Sequence, residues 1–179
     1  MSIVAQGQSA RTLRSDYETP REFVTRVEAL IGMRFGLDVA ATIETAKAPN
    51  YFGPDREVKA CRDALEAPDW RPYVAISAVW MNPPYGPRIG RWVQRAGDAA
   101  VNGATVVGLL PGNAWGSRWW TQSVLGTAHE IVPITGRIRF LLDGVVQPAP
   151  ANDNVLVIWR PGRRPPVPML CQPIAASIA

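Results

Sequence analysis

The amino-acid sequence predicts an α/β fold built on a parallel sheet. Three short runs rich in apolar, β-branched and aromatic residues, at 37–41, 73–80 and 105–110, have the composition of buried strands. Segments before and between them carry apolar residues at helical spacing. Strands that alternate with helices along a chain form βαβ units, in which the strands run parallel.

The length favours one domain. The chain has 179 residues, 47% of them hydrophobic and 19% charged, which is enough for one sizeable core and too little for two. We expect a flexible N-terminus at 1–14, a single domain at 15–160 and a proline-rich tail at 161–179. The segment 160–168 holds four prolines, so it cannot form a helix or a central strand.

The first predicted element is an amphipathic helix. Thr19 and Pro20 form its start signal, with the threonine as cap and the proline at the first helical position. From Phe23 onward, apolar residues recur at spacings of three and four, and Gly36 ends the helix. The strand at 37–41 follows directly.

The middle of the chain continues this alternation. Residues 42–54 are predicted as a long loop and 56–66 as a second helix. The strand at 73–80 runs into two prolines, which cannot donate to a ladder. A further helix begins at Ile89 and is closed by Gly103, ahead of the third strand.

The pattern changes after Pro111. Residues 113–120 form an aromatic and polar loop. Asp143 and Gly144 are a turn signal between apolar residues, which predicts a hairpin over 137–146. The run 154–159 is the last predicted strand.

Several classes of protein are disfavoured by composition. The chain has no run of about 18 apolar residues, and its start lacks the features of a signal peptide, so we expect no membrane span, no export and a cytoplasmic location. Cys61, Cys171 and the single His129 are too few for a disulfide framework, a four-ligand zinc site or a His-dependent triad. We therefore expect no metal.

The charge is unevenly distributed. The net charge is +4, but residues 88–179 hold nine basic and four acidic side chains, whereas residues 1–87 hold ten basic and eleven acidic ones. The second half is therefore the part expected to meet a polyanion.

The strongest chemical signal is the motif Asn82-Pro83-Pro84-Tyr85, at the end of the second strand. Ligands of open α/β sheets bind at the carboxyl ends of the strands, where Asp38 also lies. Two prolines fix a rigid turn that presents the Asn82 amide and the Pro83 carbonyl, and the Tyr85 ring offers a flat face. These two oxygens could accept hydrogen bonds from the N–H groups of a planar amine. Such bonds would return electron density to the amine nitrogen.

These residues resemble a known family. Asn-Pro-Pro-Tyr after a strand is the catalytic signature of amino-group methyltransferases, and residues 15–160 are similar to the phage-type Dam DNA N6-adenine methyltransferases. The resemblance rests on ordered blocks: Tyr17-Glu18-Thr19-Pro20, Leu37-Asp38-Val39-Ala40-Ala41, Ala46-Lys47, Tyr51-Phe52, Asp63-Ala64-Leu65, Trp70, Asn82-Pro83-Pro84-Tyr85-Gly86, Leu110-Pro111 and Gly136-Arg137-Ile138-Arg139-Phe140.

The resemblance implies a fold and a reaction. The fold is a Rossmann-like S-adenosylmethionine-dependent methyltransferase sheet with helices on both faces and a C-terminal hairpin region. The reaction is methyl transfer from S-adenosylmethionine to N6 of adenine in double-stranded DNA, after the target base has been flipped out of the duplex. The implied catalytic residues are Asn82, Pro83, Pro84 and Tyr85.

The resemblance also implies cofactor-binding residues. Thr19, Pro20 and Phe23 would lie at the amino-acid end of the cofactor, and Asp38 would accept a charge-assisted hydrogen bond from its ammonium group. Asp63 would contact its ribose or adenine. Ala40 joins this set, and Tyr51 and Phe52 would pack on its base.

Two features separate this chain from other methyltransferases. The first strand lacks the glycine-rich turn that often follows it, so glycines do not mark the cofactor site. Only 43 residues separate Asp38 from the motif, too few for a base-reading domain. We therefore place DNA contact at 113–148. The candidate contact residues are Trp115, Arg118, Arg137 and Arg139.

Other functions remain open from sequence. The same motif serves enzymes that methylate N4 of cytosine or protein glutamine, because each target is a planar sp² nitrogen. A non-catalytic DNA-binding module of the same fold is a further alternative. A monomer is favoured, and the family implies a role in phages or prophages, such as protection from host restriction.

Overall fold

The fold was determined as a computed structural model that describes residues 17–73, 77–162 and 167–177. The predicted N-terminal segment 1–14, residues 74–76 of the predicted second strand and residues 163–166 of the predicted tail lie outside the described residues, as do 178–179.

The described residues form short helical segments and ten strands. The helices are α1 (Arg21–Ile31), α2 (Ile89–Val101) and α3 (Leu125–Thr127), with 3₁₀ turns at Lys59–Cys61 and Arg71–Tyr73 and a π-helical turn at Trp120–Val124. The strands are β1 (Phe35–Asp38), β2 (Asn50–Tyr51), β3 (Ala78–Met81), β4 (Thr105–Pro111), β5 (Glu130–Thr135), β6 (Leu141–Leu142), β7 (Val145–Val146), β8 (Asn154–Trp159), β9 (Met169–Leu170) and β10 (Ile174–Ala175).

A mostly parallel sheet organises the protein, as predicted. Its strand order is β10-β5-β8-β4-β3-β1-β2, and β9 also pairs with β5. β8 runs antiparallel to both β4 and β5, whereas all other pairs in this sheet are parallel. The sheet confirms the α/β class.

Side chains of the central strands alternate between two apolar clusters. In β4, Val106 and Leu110 belong to the cluster that contains the apolar side of α2, and Val107 and Leu109 to the cluster that contains the apolar side of α1. Every residue of β1, β3 and β8 is buried. The sheet therefore provides a rigid base for the loops at its strand ends.

The register of β1 and β3 sets up the site. Asp38 is paired with Trp80, two residues before Asn82. The carboxyl ends of these parallel strands lie side by side at one edge of the sheet, so the segments that hold Asp38 and Asn82 are neighbours.

Two helix predictions at the start of the chain were partly wrong. Pro20, rather than Thr19, is the N-cap of α1, and no side chain caps this helix. The helix ends earlier than predicted, at Ile31, and its C-cap is Gly32, which has a φ of 68°. Gly36 lies inside β1 instead. Glycine is favoured at position 32 because this left-handed conformation is strained for other residues.

The predicted helix at 56–66 was wrong. Only Lys59–Cys61 forms a 3₁₀ turn there. The Asp63 carboxylate accepts a hydrogen bond from the backbone N–H of Leu65 at 2.9 Å. Such local bonds offer the backbone an alternative to the helix. The predicted loop 42–54 also contains the short strand β2.

Four later predictions were confirmed with small shifts. α2 and β4 occur as expected. Of the described part of the strand predicted at 73–80, Tyr73 belongs to a 3₁₀ turn and Ala78 to Trp80 belong to β3. β6 and β7 form the predicted hairpin, whose turn residues Asp143 and Gly144 have φ angles of 51° and 75°. Two successive positive φ angles are the geometry that favours Asp-Gly in a two-residue hairpin.

None of the helices in these ranges has both the length and the apolar content needed to cross a lipid bilayer.

Candidate active site

The Asn82–Tyr85 motif leaves β3 and runs between two cavities. Asn82, Pro83 and Tyr85 line a first cavity of about 410 Å³. Pro84 lines a second cavity of about 770 Å³. Because the two prolines restrict the backbone, one short segment presents groups to both cavities.

The Asn82 amide is oriented by a threonine. Its Nδ2 donates a hydrogen bond to Oγ1 of Thr19 at 3.2 Å. Thr19 is buried, with 2% of its surface exposed. Oδ1 of Asn82 has no hydrogen-bond partner among the described residues. This oxygen is therefore left to accept a hydrogen bond from a ligand.

The Tyr85 hydroxyl is fully engaged by the protein. It donates to the carbonyl of Leu109 at 3.2 Å and accepts from Nδ2 of Asn154 at 2.9 Å. Burial raises the pKa of Tyr85 well above its usual range, so the hydroxyl stays neutral. The side chain is thus held by its tip at the wall of the first cavity.

The first cavity combines aromatic faces with amide groups. Tyr17 and Phe140 both line it and pack edge to face against each other, with ring centroids 6.5 Å apart. Gln147, Asn152 and Asn154 supply polar groups. Flat apolar surfaces edged by amides suit a planar heterocycle, which gains stacking and hydrogen bonds together.

The second cavity is larger and more charged. Phe52 and Trp92 provide apolar walls, and four acidic and two basic side chains lie around the cavity. The full lining is Glu18, Val39, Ala40, Ala41, Thr42, Glu44, Thr45, Phe52, Gly53, Pro54, Arg62, Asp63, Ala64, Pro84, Arg88, Trp92, Asp143 and Gly144. A cavity of this size and mixed polarity is large enough for a nucleoside with a charged substituent.

Asp38 is buried behind the wall of the second cavity. It is 3% exposed and lines neither cavity. Its Oδ1 accepts from the backbone N–H of Ala40 at 3.2 Å, and its Oδ2 from that of Lys47 at 3.0 Å. Burial raises the pKa of Asp38 to about 6. The carboxylate thereby holds the 39–47 loop in place.

The other cofactor-binding candidates divide into two sets. Ala40 and Asp63 line the second cavity, as does Phe52. Pro20 forms the N-cap of α1, and Phe23 is fully buried in the core beneath this helix. Neither of these lines a cavity, and the same holds for Thr19 and Tyr51.

The candidate DNA contacts lie on the surface, outside both cavities. Trp115 is 49% exposed and its ring centroid lies 4.6 Å from that of Trp120. Arg137 pairs with Asp153 at 3.2 Å. Arg118 and Arg139 are exposed, and their guanidinium groups form no ion pair within the described part of the chain.

Several site residues escaped the sequence analysis. Tyr17 and Glu18 belong to a block that supported the family resemblance, but neither was given a role. Tyr17 lines the first cavity and Glu18 lines the second. Asn154 was assigned only to a strand, because its contact with Tyr85 joins positions 69 residues apart. A local sequence pattern cannot predict a contact between residues that are so far apart in the chain.

No group of three or more His, Cys, Asp or Glu side chains in the described ranges is arranged to hold a metal ion.

Comparison with known proteins identifies the family. A family model described as DNA N-6-adenine-methyltransferase (Dam) matches residues 6–172. Searches of curated proteins and of solved structures each found no match. The matched segment spans the motif and the residues that line both cavities. The chain therefore belongs to the DNA N-6-adenine-methyltransferase (Dam) family.

Proposed function

We propose that this protein transfers a methyl group from S-adenosylmethionine to N6 of adenine in double-stranded DNA. Family membership supports a DNA adenine methyltransferase in general. The observation that carries the finer proposal is the Asn82 amide, whose Oδ1 is unpartnered beside a cavity suited to a planar base. The sheet, with α1 and α2 in different apolar clusters, supports a Rossmann-like fold with helices on both faces.

In this proposal the first cavity receives the target base. The base must leave the DNA stack, since a paired adenine cannot reach Asn82, and this costs a few kcal/mol. The aromatic surfaces of Tyr17, Phe140 and Tyr85 would offset part of that cost by stacking. The Tyr85 hydroxyl is already bonded on both sides, so the ring is the part of this residue that serves the base.

Asn82 and Pro83 would then activate the amine. The N6 lone pair is delocalised into the adenine ring, which makes the nitrogen a poor nucleophile. Its two N–H groups would donate to Oδ1 of Asn82 and to the Pro83 carbonyl, which localises electron density on nitrogen. As the N–C bond forms, the methyl–sulfur bond would break and S-adenosylhomocysteine would be the leaving group. The nitrogen would then lose a proton to solvent, because an amide oxygen is too weak a base to hold it.

The second cavity would hold the cofactor. S-adenosylmethionine supplies an electrophilic methyl group on a sulfonium centre. Phe52, Ala40 and Asp63 line this cavity and would contact the nucleoside part. Thr19, Pro20 and Phe23 would support its edge from behind. The direct contact expected from Asp38 stays a prediction, and its hydrogen bonds to Ala40 and Lys47 support an indirect role through the cavity wall.

DNA would approach across the surface that carries Trp115, Arg118, Arg137 and Arg139. An exposed tryptophan can fill the gap left by a flipped base, and arginines bond phosphate oxygens. We further propose that the protein acts as a monomer in the cytoplasm, in the host cell where it is phage-encoded. There it would protect DNA from restriction.

A methyl-transfer assay tests the reaction. Unmethylated DNA is incubated with S-adenosylmethionine carrying a tritiated methyl group, then digested to nucleosides, and the labelled base is identified. We expect label in N6-methyladenine. Label in N4-methylcytosine would overturn the target, and label only in added protein would favour a glutamine methyltransferase.

An Asn82→Ala variant tests the role of the motif. We expect methylation to fall by orders of magnitude while DNA and cofactor binding persist. Asn102→Ala, at the exposed C-cap of α2, is the matched control and should retain full activity. Unchanged methylation by Asn82→Ala would refute the assignment. A wild-type protein that binds DNA and cofactor without turnover would instead indicate the non-catalytic module.

A further inference from the structure

One acidic side chain of the second cavity lies next to the catalytic motif in the fold. Glu18 lines this cavity, and its neighbour Thr19 is hydrogen-bonded to the Asn82 side chain. Tyr17, on its other side, lines the first cavity. Glu18 is thus the cavity acid whose backbone lies at the junction of the two cavities, where the reacting groups must meet.

The carboxylate of Glu18 has one fixed and one open oxygen. Oε1 forms an ion pair with Nζ of Lys47, whose side chain is 4% exposed, whereas that of Glu18 is 24% exposed. Oε2 has no hydrogen-bond partner in the part of the chain that the structure describes. A carboxylate has lone pairs for several hydrogen-bond donors. The ammonium group of Lys47 therefore fixes the position of the Glu18 carboxylate and leaves Oε2 able to accept a further hydrogen bond.

Two further contacts hold this pair rigid. The backbone of Glu18 exchanges two hydrogen bonds of 2.9 Å with Leu141, at the start of the β6–β7 hairpin. Arg21 donates to the carbonyls of Lys47 and Ala46, at 2.6 and 2.9 Å. The Glu18 carboxylate is therefore preorganised, which lowers the entropic cost of binding a ligand.

Of the other acids near this cavity, Glu44 and Asp143 are exposed, where water weakens their attraction for a cation, and Asp63 and Asp38 are already engaged. Asp63 is ion-paired with Arg88 at 3.0 Å and also accepts from the Leu65 N–H. Glu44 accepts from the Thr42 hydroxyl at 2.7 Å. Asp38 is buried outside the cavity, with both oxygens bonded to backbone N–H groups.

We propose that Glu18 accepts the ammonium group of the amino-acid end of S-adenosylmethionine, and that Asp38 acts only by holding the loop behind it. This inference rests on the proposed function. Four bonds separate the ammonium nitrogen from the sulfonium sulfur that carries the methyl group, so the acceptor of the ammonium group must lie close to the site of methyl transfer. Glu18 meets this requirement because the next residue, Thr19, is hydrogen-bonded to the side chain of Asn82.

Calorimetry with two ligands tests the proposal. S-adenosylhomocysteine carries the ammonium group, whereas 5′-methylthioadenosine lacks the whole amino-acid end. In Glu18→Gln we expect the Kd of S-adenosylhomocysteine to rise about ten- to hundredfold, as for a lost charged hydrogen bond. The Kd of 5′-methylthioadenosine should change less than about twofold. Glu57→Gln, the same isosteric change at an exposed acid that lines neither cavity, should alter neither value.

The Glu18→Gln substitution leaves the buried ammonium group of Lys47 without its ion-pair partner, which can destabilise the fold. A second variant controls for this effect. The double variant Glu18→Gln/Lys47→Gln removes both charges and should show the same selective loss. Wild-type affinity for S-adenosylhomocysteine in both variants would overturn the inference alone, as would an equal loss for both ligands. A wild-type protein that binds neither ligand would overturn the proposed function as well.

Discussion

At the scale of single residues, the orientation of Asn82 depends on one hydroxyl group. With Nδ2 bonded to Oγ1 of Thr19, Oδ1 is directed to a different partner. Without this acceptor the amide can rotate, and in the proposed reaction it would then present its NH₂ group to the substrate amine and repel it. The threonine was expected to cap a helix or touch the cofactor, and its contact with Asn82, 63 residues away, has no local signature.

Thr19→Val tests this positioning role, because valine keeps the shape and removes the acceptor. We expect kcat to fall about 10-fold, the effect of losing one hydrogen bond of 1–2 kcal/mol. The KM for the cofactor should change little, and Thr19→Ser should restore kcat. Thr25→Val, in the exposed part of α1, is the control. An equal loss in Thr19→Val and Thr19→Ser would argue against a hydrogen-bonding role.

Asp38 makes stability depend on pH in an unusual direction. Its pKa rises from 3.8 to about 6 on folding because burial disfavours the charged form. The folded state therefore binds this proton more tightly than the unfolded state. The resulting stabilisation, about 3 kcal/mol in full, is present below pH 3.8 and is lost as the pH rises through 6.

Comparing the wild type with Asp38→Asn isolates this contribution. We expect the free energy of unfolding of the wild type, relative to the variant, to decrease by more than about 1 kcal/mol between pH 5 and pH 7. Urea unfolding at a series of pH values measures it, and the difference cancels the shared titrating groups. A difference that is constant over this range would contradict the burial argument.

At the scale of elements, the wall of the second cavity depends on a close backbone approach. A Cβ at Gly53 would lie 1.7 Å from the carbonyl oxygen of Ala41. The two segments are also joined by a hydrogen bond of 3.1 Å from the Ala41 N–H to the Phe52 carbonyl. Only glycine at position 53 permits this pairing, which brings the loop after β1 against the one after β2.

Gly53→Ala should therefore disturb both stability and the cavity. We expect the protein to lose about 1–3 kcal/mol of unfolding free energy, as in other overpacked sites, and to bind S-adenosylhomocysteine more weakly. Gly126→Ala, where a Cβ meets nothing within 4 Å, should be neutral or slightly stabilising. Wild-type stability and affinity in Gly53→Ala would show that the loop can move freely.

Elements with strong local signals were predictable, and those held by side chains were not. The helix α2 has a regular apolar face, and the hairpin turn at Asp143 and Gly144 follows from residue type alone. The supposed helix at 56–66 failed because Asp63 bonds the nearby backbone. The short strands β9 and β10 pair with β5, which is distant from them in sequence. Residue composition does not predict pairing between such distant segments.

At the scale of the whole molecule, three consecutive residues connect the two cavities. Tyr17 lines the first cavity, Glu18 lines the second, and Thr19 is bonded to Asn82 between them. The same segment is joined to Leu141 of the hairpin. The sequence predicted the motif and the sheet that carries it, but this connection depends on contacts between distant segments.

Binding of DNA is a property of the whole surface, and its salt dependence counts the phosphates that the protein neutralises. Arg118 and Arg139 are exposed without an acidic partner in the described structure, whereas Arg137 is paired with Asp153. A free arginine binds phosphate without first breaking an ion pair. The two unpaired arginines should therefore contribute more to DNA affinity than Arg137.

The double variant Arg118→Gln/Arg139→Gln should reduce the slope of log K against log salt concentration by about 1.8, since each phosphate contact contributes about 0.9. Arg137→Gln should change the slope by less than either single substitution. Arg71→Gln, whose exposed side chain precedes β3 at the opposite end of the strand from the motif, is the control. Fluorescence anisotropy with a labelled duplex between 50 and 200 mM salt measures these slopes. If the double variant keeps the wild-type slope, DNA does not contact this face, and the position of the duplex relative to the first cavity must be sought elsewhere.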